Sequence, residues 1–169
     1  MSSETGDLVD MDVGAMAIES VMIESGVVRR GMLVREFFDL CGRAGVQALP
    51  FVDEHESIIG RVTIKNVLRL SCLPDYIVDM APMLNNAMSC VENAEEKVRE
   101  ILCTPADPYK QGLHQTLPST APLIKAVAVM VSNDTSYIFV VDEGVYMGVV
   151  TIQGIAARMS QLAFCLLEK

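Results

Sequence analysis

Residues 58–66 read IIGRVTIKN and residues 146–154 read YMGVVTIQG. The same Gly-x-Val-Thr-Ile run is thus written twice in 169 residues, and the position three after the threonine changes from Asn66 to Gly154. Ahead of each run stands an apolar stretch stopped by Asp-Glu: ALPFVDE (Ala48 to Glu54) and YIFVVDE (Tyr137 to Glu143). Unbroken β-branched and aromatic runs of this length predict strands buried on both faces. Short turns, HES in the first copy and Gly144 in the second, make each pair of strands a hairpin. The equivalent Asp53-Glu54 and Asp142-Glu143 pairs read as hairpin chemistry.

Working outward, each motif runs into a helix, KNVLRL in the first copy and QGIAARMSQLAFCLLE in the second. Each hairpin is preceded by another. In LVREFFDLC, Val34, Phe37, Phe38 and Cys41 fall at i, i+3, i+4 and i+7; in LIKAVAVMV the same spacing picks out Ile124, Val127, Ala128 and Val131. Such stripes predict buried helix faces. Short strands are expected before these helices, around Val27-Val28 and around Leu117. The offset between copies is then 90 residues at the helix (Phe37 to Val127), 89 at the strand (Ala48 to Tyr137) and 88 at the motif (Thr63 to Thr151). A drift confined to loops is what a duplicated domain leaves.

Between the copies, Pro74, Pro82, Pro105 and Pro108 break the chain. NAEEKVREIL predicts a helix capped by Asn93 with acids in its first turn, matched in the first copy to VGAMAIESVMIES. The expected organisation is an acidic N-terminus (1–17), a first repeat (18–70), a helical connector (71–93) and a second repeat (94–169).

Composition narrows the function. The chain is 51% hydrophobic and 21% charged, an ordinary globular balance. No apolar run approaches the roughly 18 residues of a membrane helix, and the acidic start is unlike a secretory signal, so a cytoplasmic location is expected. A net charge of −9 argues against nucleic acid. The five cysteines (Cys41, Cys72, Cys90, Cys103, Cys165) are widely spaced and read as reduced thiols. His55 and His114 lack ligand-spaced neighbours, so no metal site is expected. No paired carboxylates, Ser-His or Cys-His spacing or phosphate-cradling glycine loop points to catalysis.

With ALPFVDEHESIIGRVTIKN and YIFVVDEGVYMGVVTIQG in register behind matched helices, the sequence resembles a tandem CBS (cystathionine β-synthase) domain pair, a Bateman module. The resemblance covers roughly residues 18–70 and 94–169. It implies a mixed α/β fold of two βαββα repeats packed sheet to sheet about a pseudo-twofold axis. It also implies two clefts for adenosine-containing ligands such as AMP, ADP, ATP or S-adenosylmethionine; whether Mg2+ accompanies a phosphate tail is left open by the sequence. Pairs of this kind frequently form homodimers, and the apolar Leu162, Ala163, Leu166 and Leu167 of the last helix need cover from the other half or from a second chain.

A strand that ends in threonine and turns into a helix leaves free N–H groups and a positive dipole end there. The hydroxyls of Thr63 and Thr151 can cap the helix or bind a ligand oxygen. The family places an aspartate three residues later to hold the ribose hydroxyls. Here Asn66 keeps one acceptor oxygen and Gly154 offers no side chain. Charge separates the copies further. Arg61, Lys65 and Arg69 surround Thr63, whereas only Arg158 lies in the matching span of the second copy.

By analogy with the family, the first cleft would be lined by Val27, Val28, Gln47, Ala48, Leu49, Pro50, Arg61, Thr63, Lys65 and Asn66. The second would be lined by Leu117, Ser136, Tyr137, Ile138, Thr151 and Gly154, with Tyr137 either stacking on a base or filling its place. The expected function is a non-catalytic sensor that binds an adenosine ligand in the first cleft and modulates a partner protein. The alternative is a structural or interaction protein whose clefts are degenerate.

Overall fold

The computed structural model describes residues 15–73, 75–83 and 94–167. Asn93, Cys90 and most of the acidic N-terminus lie outside these residues, as do residues 84–93 of the connector and the side chains from Ala163 onward.

Each repeat contributes a helix and a hairpin. The first has α1 (Val34–Ala44), β1 (Ala48–Val52), β2 (Ile58–Thr63) and α2 (Ile64–Cys72). A short α3 (Asp75–Met80) and a 3-10 turn (Ala81–Met83) follow, then α4 (Ala94–Leu102). The second repeat has α5 (Leu123–Ser132), β3 (Tyr137–Asp142), β4 (Val145–Thr151) and α6 (Ile152–Leu167). Both hairpins are antiparallel, pairing Ala48 with Thr63 and Tyr137 with Thr151. The expected short strands are present as parallel bridges, Val28 to Phe51 and Leu117 to Val140.

The outer edge of each sheet is closed by the leader of the other repeat. Gln111 exchanges both backbone hydrogen bonds with Arg61, at 2.8 and 3.0 Å. Ile23 does the same with Val149, at 2.8 and 2.9 Å. Deeper in the crossing, Ala106 N–H donates to Met32 O at 2.8 Å, and its mirror contact runs from Ile18 to Ala121 O at 2.8 Å. The two leaders are therefore exchanged: each hairpin is flanked on one edge by its own repeat, at Val28 or Leu117, and on the other edge by the other half.

This exchange explains why both motifs open with glycine. A Cβ on Gly60 would stand 2.7 Å from the Gln111 carbonyl oxygen, and one on Gly148 would stand 2.6 Å from the Ile23 oxygen. No side chain fits where two backbones approach so closely.

The sheets pack face to face. Tyr137, Phe139 and Val149 of the second sheet share one core with Phe37, Leu49, Val62 and Val67 of the first half. Ile138, Val140 and Val150 point the other way, into a core with Leu123, Ala126, Met130 and Ile155. Strand β3 is thus buried on both faces, as its unbroken apolar run requires.

Two expectations are corrected. The buried stripe of α5 is Leu123, Ala126 and Met130, with Val127 partly covered, while Ile124 and Val131 are 59% and 73% exposed. The helix is apolar nearly all round, so i, i+3, i+4, i+7 fits more than one register. The structural match is Val34 to Leu123, an offset of 89 rather than 90. Secondly, VGAMAIESVMIES is not the counterpart of α4. Its described part forms only a 3-10 turn, Ile18–Val21, because bridges from Ala17 to Pro122 and from Ile23 to Val149 hold both ends extended. Its symmetry mate is the 3-10 turn Asp107–Tyr109.

Candidate functional site

At the end of β2 the chain turns directly into α2, and Thr63 Oγ1 accepts the N–H of Asn66 at 3.1 Å. Thr151 Oγ1 accepts the N–H of Gly154, also at 3.1 Å. Both threonines are therefore N-caps, worth about 1 kcal/mol each to their helices. Thr63 remains partly accessible, whereas Thr151 is 5% exposed.

The difference between Asn66 and Gly154 follows from the exchanged leaders. Asn66 Nδ2 donates to the Tyr109 carbonyl at 3.1 Å and so ties the 107–111 leader to α2. In the second half the equivalent carbonyl, that of Val21, lies 3.7 Å from where a Gly154 Cβ would stand. The leader there packs against the helix with no side chain between them. Asn66 Oδ1 remains an acceptor open to a ligand.

A cleft of about 680 Å³ opens beside this turn. One wall carries Arg61, Thr63, Lys65, Asn66 and Arg69 from β2 and α2. Gln47 lies at its edge, and the opposite wall is the loop Asp134, Thr135, Ser136 and Tyr137 of the second half. Gln47 Nε2 donates to Ser136 Oγ at 2.6 Å and joins the two walls.

Arg61 dominates the electrostatics. Its Nη1 donates to Tyr137 Oη at 3.1 Å, and its Nε is buried with no hydrogen-bond partner. Among the described residues the ion pairs are Arg29–Glu56 and Arg43–Asp39, so no carboxylate neutralises it. Burial pushes the Tyr137 phenol up, and the Arg61 hydrogen bond and charge pull it partly back. A half-buried guanidinium without a counter-ion is costly, and it suits an anion entering the cleft.

The expected residues divide into two groups. Gln47, Arg61, Thr63, Lys65 and Asn66 line the cleft together with Ser136 and Tyr137, which had been assigned to the second cleft. Val28, Ala48, Leu49, Pro50, Leu117 and Ile138 are buried in the interior, and Val27 is partly covered. A separate small pocket of about 10 Å³ lies between Arg61, Tyr137, Ile138 and Asn133. The ring of Tyr137 lies 5.4 Å from that of Phe139, centroid to centroid. Sequence reasoning missed Asp134, Thr135 and Gln111, because only the packing of the two halves brings them to the first repeat. Arg69 was legible, four residues beyond Lys65.

Among the described residues no group of three or more His, Cys, Asp or Glu side chains could hold a metal ion. Nor is any described helix long and apolar enough to cross a membrane.

Residues 98–160 match the family model of the CBS domain. No curated protein sequence matches the chain significantly. Among solved structures it is similar to the CBS domain of a CBS-domain-containing membrane protein from Sphaerobacter thermophilus, at 18% identity and TM-score 0.62, covering 86% of this chain and 88% of that one. The protein CBSX2 in complex with AMP matches at 15% identity and TM-score 0.59, over 87% of this chain and 98% of that one. The CBS domain pair of protein MJ0100, in complex with 5′-methylthioadenosine and S-adenosyl-L-methionine, matches at 14% identity and TM-score 0.58 with the same coverage. At these identities the likeness establishes the fold.

Proposed function

We propose, from the premise that this chain has the tandem CBS-domain fold, that it is a non-catalytic regulatory module for an adenosine-containing ligand. The ligand occupies the cleft between α2 and the 134–137 loop, and its binding modulates a partner protein. The observation that carries this reading is Arg61, a half-buried cation without a carboxylate partner among the described residues that lines a cleft shared by both halves. A ligand phosphate supplies the missing anion, and Asn66 Oδ1 accepts from a ribose hydroxyl. The adenine is proposed to lie beside Gln47, towards Val27, Val28 and Ala48 to Pro50. That AMP, 5′-methylthioadenosine and S-adenosylmethionine occupy proteins of this fold supports an adenosine ligand.

The second cleft, around Thr151 and Gly154, is read as unused, because Thr151 is buried and Gly154 offers no side chain. The module is further proposed to be a cytoplasmic homodimer.

A second reading has its own support. Both threonines already cap helices, and the Asn66 amide already holds the leader, so the motif has a structural use without any ligand. On that reading the protein is an interaction scaffold with degenerate clefts. A thermal-shift panel of AMP, ADP, ATP, NAD and S-adenosylmethionine separates the two. A ligand at about 100 times its Kd adds about 2.7 kcal/mol to the folded state. A stabilisation by an adenosine ligand that Arg61→Met removes supports the sensor; a flat panel supports the scaffold.

A further inference from the structure

We infer that the ligand of the Arg61 cleft carries a polyphosphate chain, and that Lys65 and Arg69 select it over a monophosphate or a sulfonium. The inference rests on the nucleotide reading above and narrows it. Arg61 sits on β2 at the inner end of the cleft, while Lys65 and Arg69 lie four residues apart on α2. Residues four apart share one helix face and step about 6 Å along its axis. The three cations therefore form a row leading outward from the turn at Thr63, longer than one phosphate can bridge.

The fold itself does not require this row. At the symmetry-equivalent positions the second half has Val149, Gln153 and Ala157, all uncharged. Like charges at i and i+4 also work against the helix that carries them. Among the described residues none of the three has a carboxylate partner, and Asp134 is the one acidic side chain lining the cleft. A net excess of two positive charges in a cavity of about 680 Å³ favours a multiply charged anion. It disfavours the cationic sulfonium centre of S-adenosylmethionine.

The test is calorimetric titration of the full chain with ATP, ADP, AMP, adenosine, S-adenosylmethionine and inorganic tripolyphosphate, with and without Mg2+. Affinity is expected to rise about tenfold or more from AMP to ATP, the gain of one charge-assisted hydrogen bond. Arg69→Gln, on an exposed helix position, should lower ATP affinity about tenfold and leave AMP within about twofold. Equal affinity for AMP and ATP, or equal losses of both in Arg69→Gln, overturns the inference while leaving the nucleotide reading standing. Tripolyphosphate binding with every nucleoside silent keeps the polyanion assignment and overturns the nucleotide reading. Silence of the whole panel overturns both.

Discussion

Replacing Arg61 by methionine should make the ligand-free protein more stable while removing its ligand binding. The symmetry-equivalent position holds Val149, fully buried against the facing sheet, so an unbranched apolar side chain suits this environment. An unsatisfied buried donor costs about 1–3 kcal/mol, and Arg61 Nε is one. The substitution also loses the 3.1 Å hydrogen bond to Tyr137 Oη, a loss of about 1 kcal/mol. The balance is a gain of about 1 kcal/mol, or a Tm higher by about 2–4 °C for a chain of this size. Urea unfolding of both proteins without ligand measures it, with an unchanged m-value as the check that the folded state is intact. Hydrogen bonds to a charged group are worth about 1.5–3 kcal/mol, so phosphate affinity should fall at least about tenfold. A variant less stable than wild type by more than about 1 kcal/mol would refute the reasoning, since Arg61 would then be a satisfied structural residue.

Gly60→Ala should destabilise the protein by about 1–3 kcal/mol, because its Cβ meets the Gln111 carbonyl and either strand or leader must move. Gly42→Ala in α1, with nothing within 4 Å of the added Cβ, should instead stabilise by about 0.5–1 kcal/mol; thermal unfolding of the pair reads the difference. Stability should also fall at alkaline pH. Burial raises the Cys41 thiol from 9.0 to about 12 and the Tyr146 phenol from 10.0 to about 12. In each case the unfolded chain loses its proton first, so the folded state's advantage is complete below the unfolded pKa and lost as pH rises towards the folded one. Denaturant midpoints should therefore decline from about pH 9 to 12, and Tyr146→Phe should flatten the part above pH 10.

The hairpins, their turns and the helix that follows each were legible in the sequence because strand runs stopped by Asp-Glu, and a threonine cap, are local signals. The duplication made them stronger, since each copy checks the other. What escaped was every feature that depends on one half meeting the other. The exchange of leaders 15–23 and 104–111 carries little periodicity, since each leader touches its sheet through an isolated bridge. The repeated glycine was visible, but its cause, a foreign backbone crossing at Gly60 and Gly148, was not. Helix α5 misled because Ile124 and Val131 are apolar yet exposed, leaving its buried face ambiguous by one residue. The site was half legible for the same reason. Arg61, Thr63, Lys65 and Asn66 announce themselves within nine residues, whereas Asp134 to Tyr137 reach them only through sheet-to-sheet packing.

The central claim is that one cleft, organised by Arg61, binds an adenosine nucleotide. Titration calorimetry of wild type and Arg61→Met with AMP, ADP and ATP tests it most directly. The account predicts saturable binding of at least one of them to wild type at one ligand per chain, lost in a variant that remains folded. Two equivalent sites per chain, or binding undiminished in Arg61→Met, would contradict it.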